Sequence, residues 1–451
     1  MSTLTTSLRL VAGSLGSWQA APAESLRRRF ASGAFWYLTG TISYHGFRLL
    51  ALVAAARMLG RQSFGELGAL QSTILMFALF AGLGLGLTAT KHVAQYRYSD
   101  PVRAGRIIGT SWLVAALSGG FFSLTLLLAA PWLAASVLGA AHLAPQFRIA
   151  SGLVLFHALI GAQTGVLAGL EAFQSIARSN LLHGLLSFVI VVAGVYLGGL
   201  PGAVAGLVVS AAVGLVVNQW FLRQEFRRAA IRPVYVPTRG EWSMLLHFSL
   251  PAVIRGAMNA PVNWIGAAIL VNQPHGFAEM GVFSAANQWR LLILMTPSVL
   301  ERISLPILAS LHGQGSMRGH FRAVRTQVLA SFCSAACLAI PVSVAAPLLM
   351  GFYGESFRSG WPAIPLLAAS ALLASVNNAV AIAFMSTGAV WLTLRFDALW
   401  ALCLISLALV LAPAGGALGL AATYPAACLV QGLVLLFYWK RRAVCGEDTL
   451  R

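Results

Sequence analysis

Twelve apolar runs divide the chain, each bounded by charges, prolines or glycines and each near the roughly 20 residues that cross a bilayer as a helix. They fall at about 31 to 58, 64 to 88, 107 to 130, 149 to 170, 179 to 198 and 202 to 222, then 244 to 271, 278 to 300, 324 to 349, 361 to 386, 391 to 412 and 416 to 439. Three connections, Gly198 to Pro201, Asn272 to Phe277 and Pro413 to Gly415, hold only a few residues each. A longer one, 131 to 148, is itself mostly apolar. The pattern predicts an all-α polytopic membrane protein with no room for a large soluble domain.

Composition agrees and narrows the choice. Of 451 residues, 58% are hydrophobic and 9% charged, against roughly a quarter charged in soluble domains, and mean hydropathy is +0.80. An ordinary soluble enzyme is excluded. The formal net charge of +18 would point to nucleic acid on a folded surface, so the position of each basic residue matters. If the N-terminus is cytoplasmic, 23 of the 30 Lys and Arg residues fall on the cytoplasmic side and four (Arg57, Arg61, Arg148, Arg358) outside. Three lie within spans. That is the asymmetry that sets membrane topology, so both termini are expected inside and the charge marks orientation, not nucleic-acid binding.

The organisation expected is a cytoplasmic tail over 1–30, a six-helix bundle over 31–222, a cytoplasmic linker over 223–243 with five Arg and Pro233 and Pro237, a second bundle over 244–440 and a short tail over 441–451. The run Arg27-Arg28-Arg29 follows the weakly apolar stretch from Leu10 to Ala21, the reverse of a signal peptide. Cys333, Cys337, Cys403 and Cys428 sit in apolar stretches and Cys445 in a charged tail, with no metal-ligand spacing.

The halves echo each other. Phe64-Gly-Glu66-Leu-Gly68 opens the second run and Phe277-Ala-Glu279-Met-Gly281 the eighth. Arg103-Ala-Gly-Arg106 parallels Arg318-Gly-His-Phe-Arg322, Arg178 parallels Arg395, and Gly202-Ala-Val parallels Gly416-Ala-Leu, at offsets between 213 and 217. Such periodicity indicates duplication. Six crossings per copy give parallel halves around a central cavity.

Buried charge points to that cavity. An intramembrane arginine costs about 2.5 to 3.5 kcal/mol on insertion scales, so Arg48, Arg255 and Arg290 need partners, an aqueous cavity or a route to the surface. Helical spacing aligns Ser284, Asn287 and Arg290 on one face and Arg255, Asn259 and Asn263 on another. Tyr44, His45 and Arg48 make a patch in the first run. Weaker stripes, His157 with Thr164 and Glu171, and Asn180 with His183 and Ser187, run toward cytoplasmic ends. Arginine grips phosphate oxygens in pairs and keeps its charge, so such a cavity suits a phosphate or pyrophosphate. Trp264, Trp289 and Trp400 lie deep in their runs, where they either pack the core or stack on sugar faces.

No pair of groups reads as general acid and base, and no phosphate loop, zinc motif or nucleophile motif occurs. Neither catalysis nor a cofactor is expected. Glu171, Glu301 and Asp397 adjoin cytoplasmic ends; each is a candidate ion-coupling site or, more simply, a partner for a nearby base such as Arg178, Arg302 or Arg395.

The stretch Ala56-Arg57-Met-Leu-Gly60-Arg-Gln-Ser-Phe64-Gly-Glu66-Leu-Gly68, then Gly82-Leu-Gly-Leu-Gly86-Leu-Thr88 and Lys91-His-Val-Ala-Gln-Tyr96-Arg97, resembles the opening of bacterial polysaccharide transporters, the Wzx-type lipid-linked oligosaccharide flippases of the multidrug/oligosaccharidyl-lipid/polysaccharide (MOP) exporter superfamily. Leu250-Pro251 early in the seventh run also resembles the family. The resemblance implies two six-helix bundles of MATE/MOP type in the bacterial inner membrane, alternating access, and an undecaprenyl-pyrophosphate-linked glycan as cargo for O-antigen, capsule or exopolysaccharide synthesis. It also implies pathway partners, a polysaccharide polymerase and glycosyltransferases. On this reading Arg290, Arg255 and Arg48 bind pyrophosphate, with Asn259, Asn263, Asn287, His45, Trp264 and Trp289 toward phosphate or sugar. Alternatives are a same-fold carrier of a peptidoglycan precursor or a drug/cation antiporter, and, from another class, a membrane glycan polymerase or ligase. The last would need a sizeable periplasmic loop.

Overall fold

A computed structural model describes residues 23–235, 258–313 and 317–448. Over these the chain is helical: α1 (Ala23–Gly82), α2 (Leu85–Tyr96), α3 (Pro101–Trp132), α4 (Ala144–Gly169), α5 (Phe173–Ala229), α6 (Met258–Val271), α7 (Gly276–Gly313), α8 (Met317–Val344), α9 (Ala346–Tyr353), α10 (Ala363–Ser386) and α11 (Val390–Asp448). Among the described residues, seven helices are long and apolar enough to cross a membrane. A straight α5 of 57 residues would run about 86 Å, nearly three times a hydrocarbon core of about 30 Å. It breaks instead at Gly198 and Gly199, as α1 does at Gly60 and α11 at Gly416. Counting both legs of these three, the described residues form twelve helical legs, with α2 continuing the second and α9 standing apart.

Glycine is required at the two matching breaks. Gly199 has φ 56° and ψ −133°, and Gly416 φ 54° and ψ −129°, a region closed to side-chain-bearing residues. The returning legs then touch backbone to backbone, Gly194 against Gly202 and Leu411 against Gly419. These contacts fix the repeat register at this turn: Gly199 corresponds to Gly416 and Gly202 to Gly419. The pairing of Gly202 with Gly416 drawn from the sequence is therefore three residues out, because the shared signal is Gly-x-x-Gly and only its first glycine makes the turn. Replacing Gly416 with alanine is expected to destabilise the protein by about 1 to 3 kcal/mol, seen as a lower thermal unfolding midpoint in detergent, while Gly415→Ala, one residue earlier and with nothing within contact distance, should change it little.

The helices before residue 230 pack on one another, as do those after 258, and the two groups meet chiefly where the second leg of α1 crosses α7. Several boundaries differ from the sequence reading. Helix α1 already begins at Ala23, inside the expected tail, and the sixth leg continues to Ala229 instead of ending at 222. Residues 231–235 then lie along α3, with Val234 N–H donating to Gly105 O at 3.0 Å. The apolar connection 131–148 is a π-helical turn (Leu133–Val137) and a 3-10 turn (Ala141–Leu143) with Leu133, Leu138 and Leu143 buried. The start of the second bundle, near 244, lies outside the described residues.

Candidate functional site

The three turns at Gly60, Gly199 and Gly416 mark one end of the molecule, called here the hairpin end. There the two repeated motifs pack on each other. An added Cβ at Gly65 would overlap Phe277 O, one at Gly281 would overlap Arg61 O, and one at Gly68 would overlap Ser284 Oγ. Arg61 donates through Nε to Ala278 O at 2.9 Å and pairs with Glu279. The other Glu279 oxygen accepts Ala417 N–H at 2.8 Å, tying the latch to the Gly416 turn. Phe64 packs on Tyr353 and Phe357, and Asn272 donates to Val137 O at 2.8 Å. The seal extends to Trp264 Nε1, which donates to Thr73 Oγ1 at 3.0 Å, thirteen residues or about 20 Å below Gly60.

A polar cluster lies at that depth in the C-terminal bundle. Arg290, fourteen residues past Gly276 and so about 21 Å along α7, is half-buried. Its Nε donates to Ser370 Oγ of α10 at 3.1 Å, and its guanidinium lies 4.7 Å from the Tyr424 ring centroid. Tyr424, only 1% exposed on the second leg of α11, donates to Asn263 Oδ1 of α6 at 2.7 Å. Asn263 Nδ2 is engaged by Asn259 O at 2.7 Å. Four helices thus fix the guanidinium plane through one nitrogen and one face. Among the described residues no carboxylate pairs with Arg290, and its two terminal nitrogens make no hydrogen bond. In arginines generally, such a fork of N–H groups is what pairs with carboxylate or phosphate oxygens.

The other predicted positions divide. Asn287, one turn before Arg290, has a buried Oδ1 with no hydrogen-bond partner among the described residues. Asn259 is exposed. Trp264 serves the seal, while Trp289 and Trp400 pack with the main apolar core. Arg255 lies outside the described residues. Arg48 and His45 are exposed on the first leg of α1, with Tyr44 between His45 (ring centroids 5.5 Å) and His183 (5.2 Å). Of the candidate coupling acids, Glu171 pairs with Arg97 at 2.5 Å. Asp397 accepts Gln431 Nε2 at 3.3 Å, within a network that includes Asn377. Glu301 is half-buried near the opposite end of α7 from the seal. None of the three is in contact with Arg290.

Sequence reasoning missed Tyr424 and Ser370. Both stand in Ala- and Leu-rich runs with nothing local to show which face looks at Arg290. The offset gave one hint: Phe77 stands 213 residues before Arg290 and Leu207 217 before Tyr424, so this bundle carries polar groups its counterpart lacks.

Residues 30–312 match the family described as "Polysaccharide biosynthesis protein". The chain belongs to that family. Over 413 residues it is 23% identical to the "EPS I polysaccharide export inner membrane protein EpsE" of Ralstonia nicotianae, covering 90% of this chain and 93% of that one. It is 26% identical to the "Lipid III flippase" of Escherichia coli K12 over 270 residues, 57% of this chain and 61% of the relative. Among solved structures, an inward-facing MATE multidrug transporter of the MOP superfamily superposes with a TM-score of 0.77 at 16% identity, over 92% of this chain and 99% of that one. An outward-facing MATE transporter gives 0.68 at 15% identity, over 93% and 96%. The family member described here therefore has the MATE/MOP fold, and it is a multi-pass membrane protein of a transport family, not an enzyme.

Proposed function

We propose that this family member is a flippase of the bacterial inner membrane that carries an undecaprenyl-pyrophosphate-linked oligosaccharide by alternating access, for O-antigen, capsule or exopolysaccharide synthesis. The observation that carries the reading is the Arg290 fork, held by Ser370 and Tyr424 without a described acid. A cation placed this way attracts an anion and repels a cationic drug. With the termini in the cytoplasm, the sealed hairpin end faces outward and cargo enters from inside. Asn263 and Asn287 flank the fork for phosphate or sugar, and Arg255, in the seventh apolar run of the sequence, is a further candidate. The glycan passes between the bundles while its lipid tail stays in the bilayer. No bond is made or broken.

Transfer of a fluorescent lipid-linked oligosaccharide between leaflets of proteoliposomes tests this. The expected result is redistribution at a rate well above protein-free vesicles, with the recovered lipid chemically unchanged. A lengthened glycan would mean a polymerase, and no redistribution would mean another cargo.

A further inference from the structure

The half of the C-terminal bundle farthest from the hairpin end holds a groove that the flippase reading does not use. It lies between α7 over residues 300–308 and α8 over residues 319–330. The two helices are tied on either side of it. His320 Nδ1 meets Leu308 O at 3.2 Å near the turn that joins them, and Thr296 Oγ1 reaches Ser334 O at 3.5 Å deeper in. Between these ties they part, leaving a cavity of about 400 Å³, the size of a small-molecule site. The walls explain the gap: one face of α8 presents Gly319, Ala323 and Ala330, too small to fill it, toward Leu300 and Ile307 of α7.

The polar groups of the groove are ordered by depth. The apolar span of α8, Gly319–Val344, has 26 residues and rises about 39 Å, close to a full bilayer with its headgroups. Arg322, three residues in, therefore sits at headgroup level, and Gln327, about 12 Å in, lies past the hydrocarbon edge. Arg322 is exposed, and among the described residues none that lines the groove is acidic. Gln327 is only 6% exposed, yet neither its amide nitrogen nor its amide oxygen has a hydrogen-bond partner among the described residues. A buried amide left in that state is costly. Ile307 in the wall is exposed, as are Phe321, Leu329 and Phe332 along α8, the kind of surface a spanning helix turns to acyl chains.

We infer that this groove binds an anionic glycerophospholipid from the leaflet opposite the hairpin end. The Arg322 guanidinium takes the phosphate. The Gln327 amide N–H, about 7.5 Å deeper, donates to an ester carbonyl, and an acyl chain fills the apolar walls. Charge and depth together select this occupant. A cationic rim without acids favours a net anion, and a basic pocket between spanning helices near one membrane face is the general form of a headgroup site. A free phosphate would gain nothing from walls of Leu, Ile and Ala or from a buried amide. A polyprenyl chain has no ester to offer Gln327. The inference stands whether or not the transported cargo is a lipid-linked glycan.

Native mass spectrometry of the delipidated full-length protein, given equimolar phosphatidylglycerol and phosphatidylethanolamine with matched chains, reads the occupancy. One phosphatidylglycerol is expected to be retained at least about fivefold better than phosphatidylethanolamine, and glycerol phosphate, which has no chains, should not displace it. Arg322→Ala, at an exposed position, should remove the preference. Ala330→Trp, which fills the groove from its exposed rim, should lower retention of both lipids. Gln327→Met keeps the volume and removes the unmatched amide, so it should raise the thermal unfolding midpoint of the lipid-free protein while shrinking the further rise that phosphatidylglycerol gives. Equal retention of the two lipids by the wild type overturns the inference. So does a preference that survives Arg322→Ala, or retention that Ala330→Trp leaves unchanged. Displacement by glycerol phosphate would make this a free-anion site, and displacement by a lower concentration of polyprenyl phosphate a site for the cargo's tail; either overturns it. If a variant does not fold, the wild-type selectivity and the two displacement arms decide.

Discussion

Replacing Arg290 with alanine is expected to abolish glycan export while the protein still reaches the membrane in normal amount. The half-buried guanidinium has no carboxylate partner among the described residues, so removing it strands no opposite charge there. Ser370 Oγ also donates to Leu367 O at 2.6 Å and keeps a partner. The lost function is the grip on phosphate. A charge-assisted hydrogen bond contributes about 1.5 to 3 kcal/mol, so losing a two-pronged contact lowers affinity by roughly a hundredfold or more. Lysine keeps the charge without the planar fork and should recover only part of the activity. Tyr424→Phe retains the ring beneath Arg290 and loses only the bond to Asn263, so it should be mild. Tyr424→Ala removes the cation–π contact, about 0.5 to 2 kcal/mol, and should fall between Tyr424→Phe and Arg290→Ala. Export from a well-expressed Arg290→Ala protein at the wild-type rate would remove Arg290 from the site.

The second large effect is expected at the seal. Valine at Gly65 places two methyl groups where Phe277 O already crowds any Cβ. The second leg of α1 and α7 must then separate, and the Arg61 contacts to Ala278 and Glu279 are lost with the approach. Overpacking of this kind costs about 1 to 3 kcal/mol, enough to shift a two-state equilibrium by roughly 5- to 150-fold. If transport alternates between sealing one end and then the other, Gly65→Val holds the hairpin end open and stops export. Ser284→Cys, in a background without the native cysteines, reports on this directly, because Ser284 is only 8% exposed beneath Gly68. A membrane-impermeant maleimide should label it slowly in the parent and many times faster with Gly65→Val. Full export together with continued shielding would show that the seal does not gate the path.

Much of the fold could be read from the sequence because in lipid each helix must satisfy its own backbone. Each leg therefore appears locally as an apolar run with polar or glycine ends. The Phe-x-Glu-x-Gly repeat was visible as duplication, but its role was not: nothing in either copy indicates that the two pack on each other, with Gly65 and Gly281 admitting the opposite backbone. The site was half legible. Arg290 stood out, since a charge within an apolar run is costly wherever it points. Tyr424 and Ser370, which give it a direction, are ordinary residues in apolar helices far along the chain.

The sequence by itself determined the helical class, the number of apolar runs, the asymmetry of basic residues and the presence of arginine within the spans, because these follow from local hydropathy and the cost of burying charge. Only the tertiary structure decided which turn glycines correspond, which end is closed, and which neighbours hold Arg290. Those depend on contacts between residues 80 to 220 positions apart, such as Arg290 with Ser370 and Arg61 with Glu279, and a period of 3.6 gives a residue's face but not what that face meets.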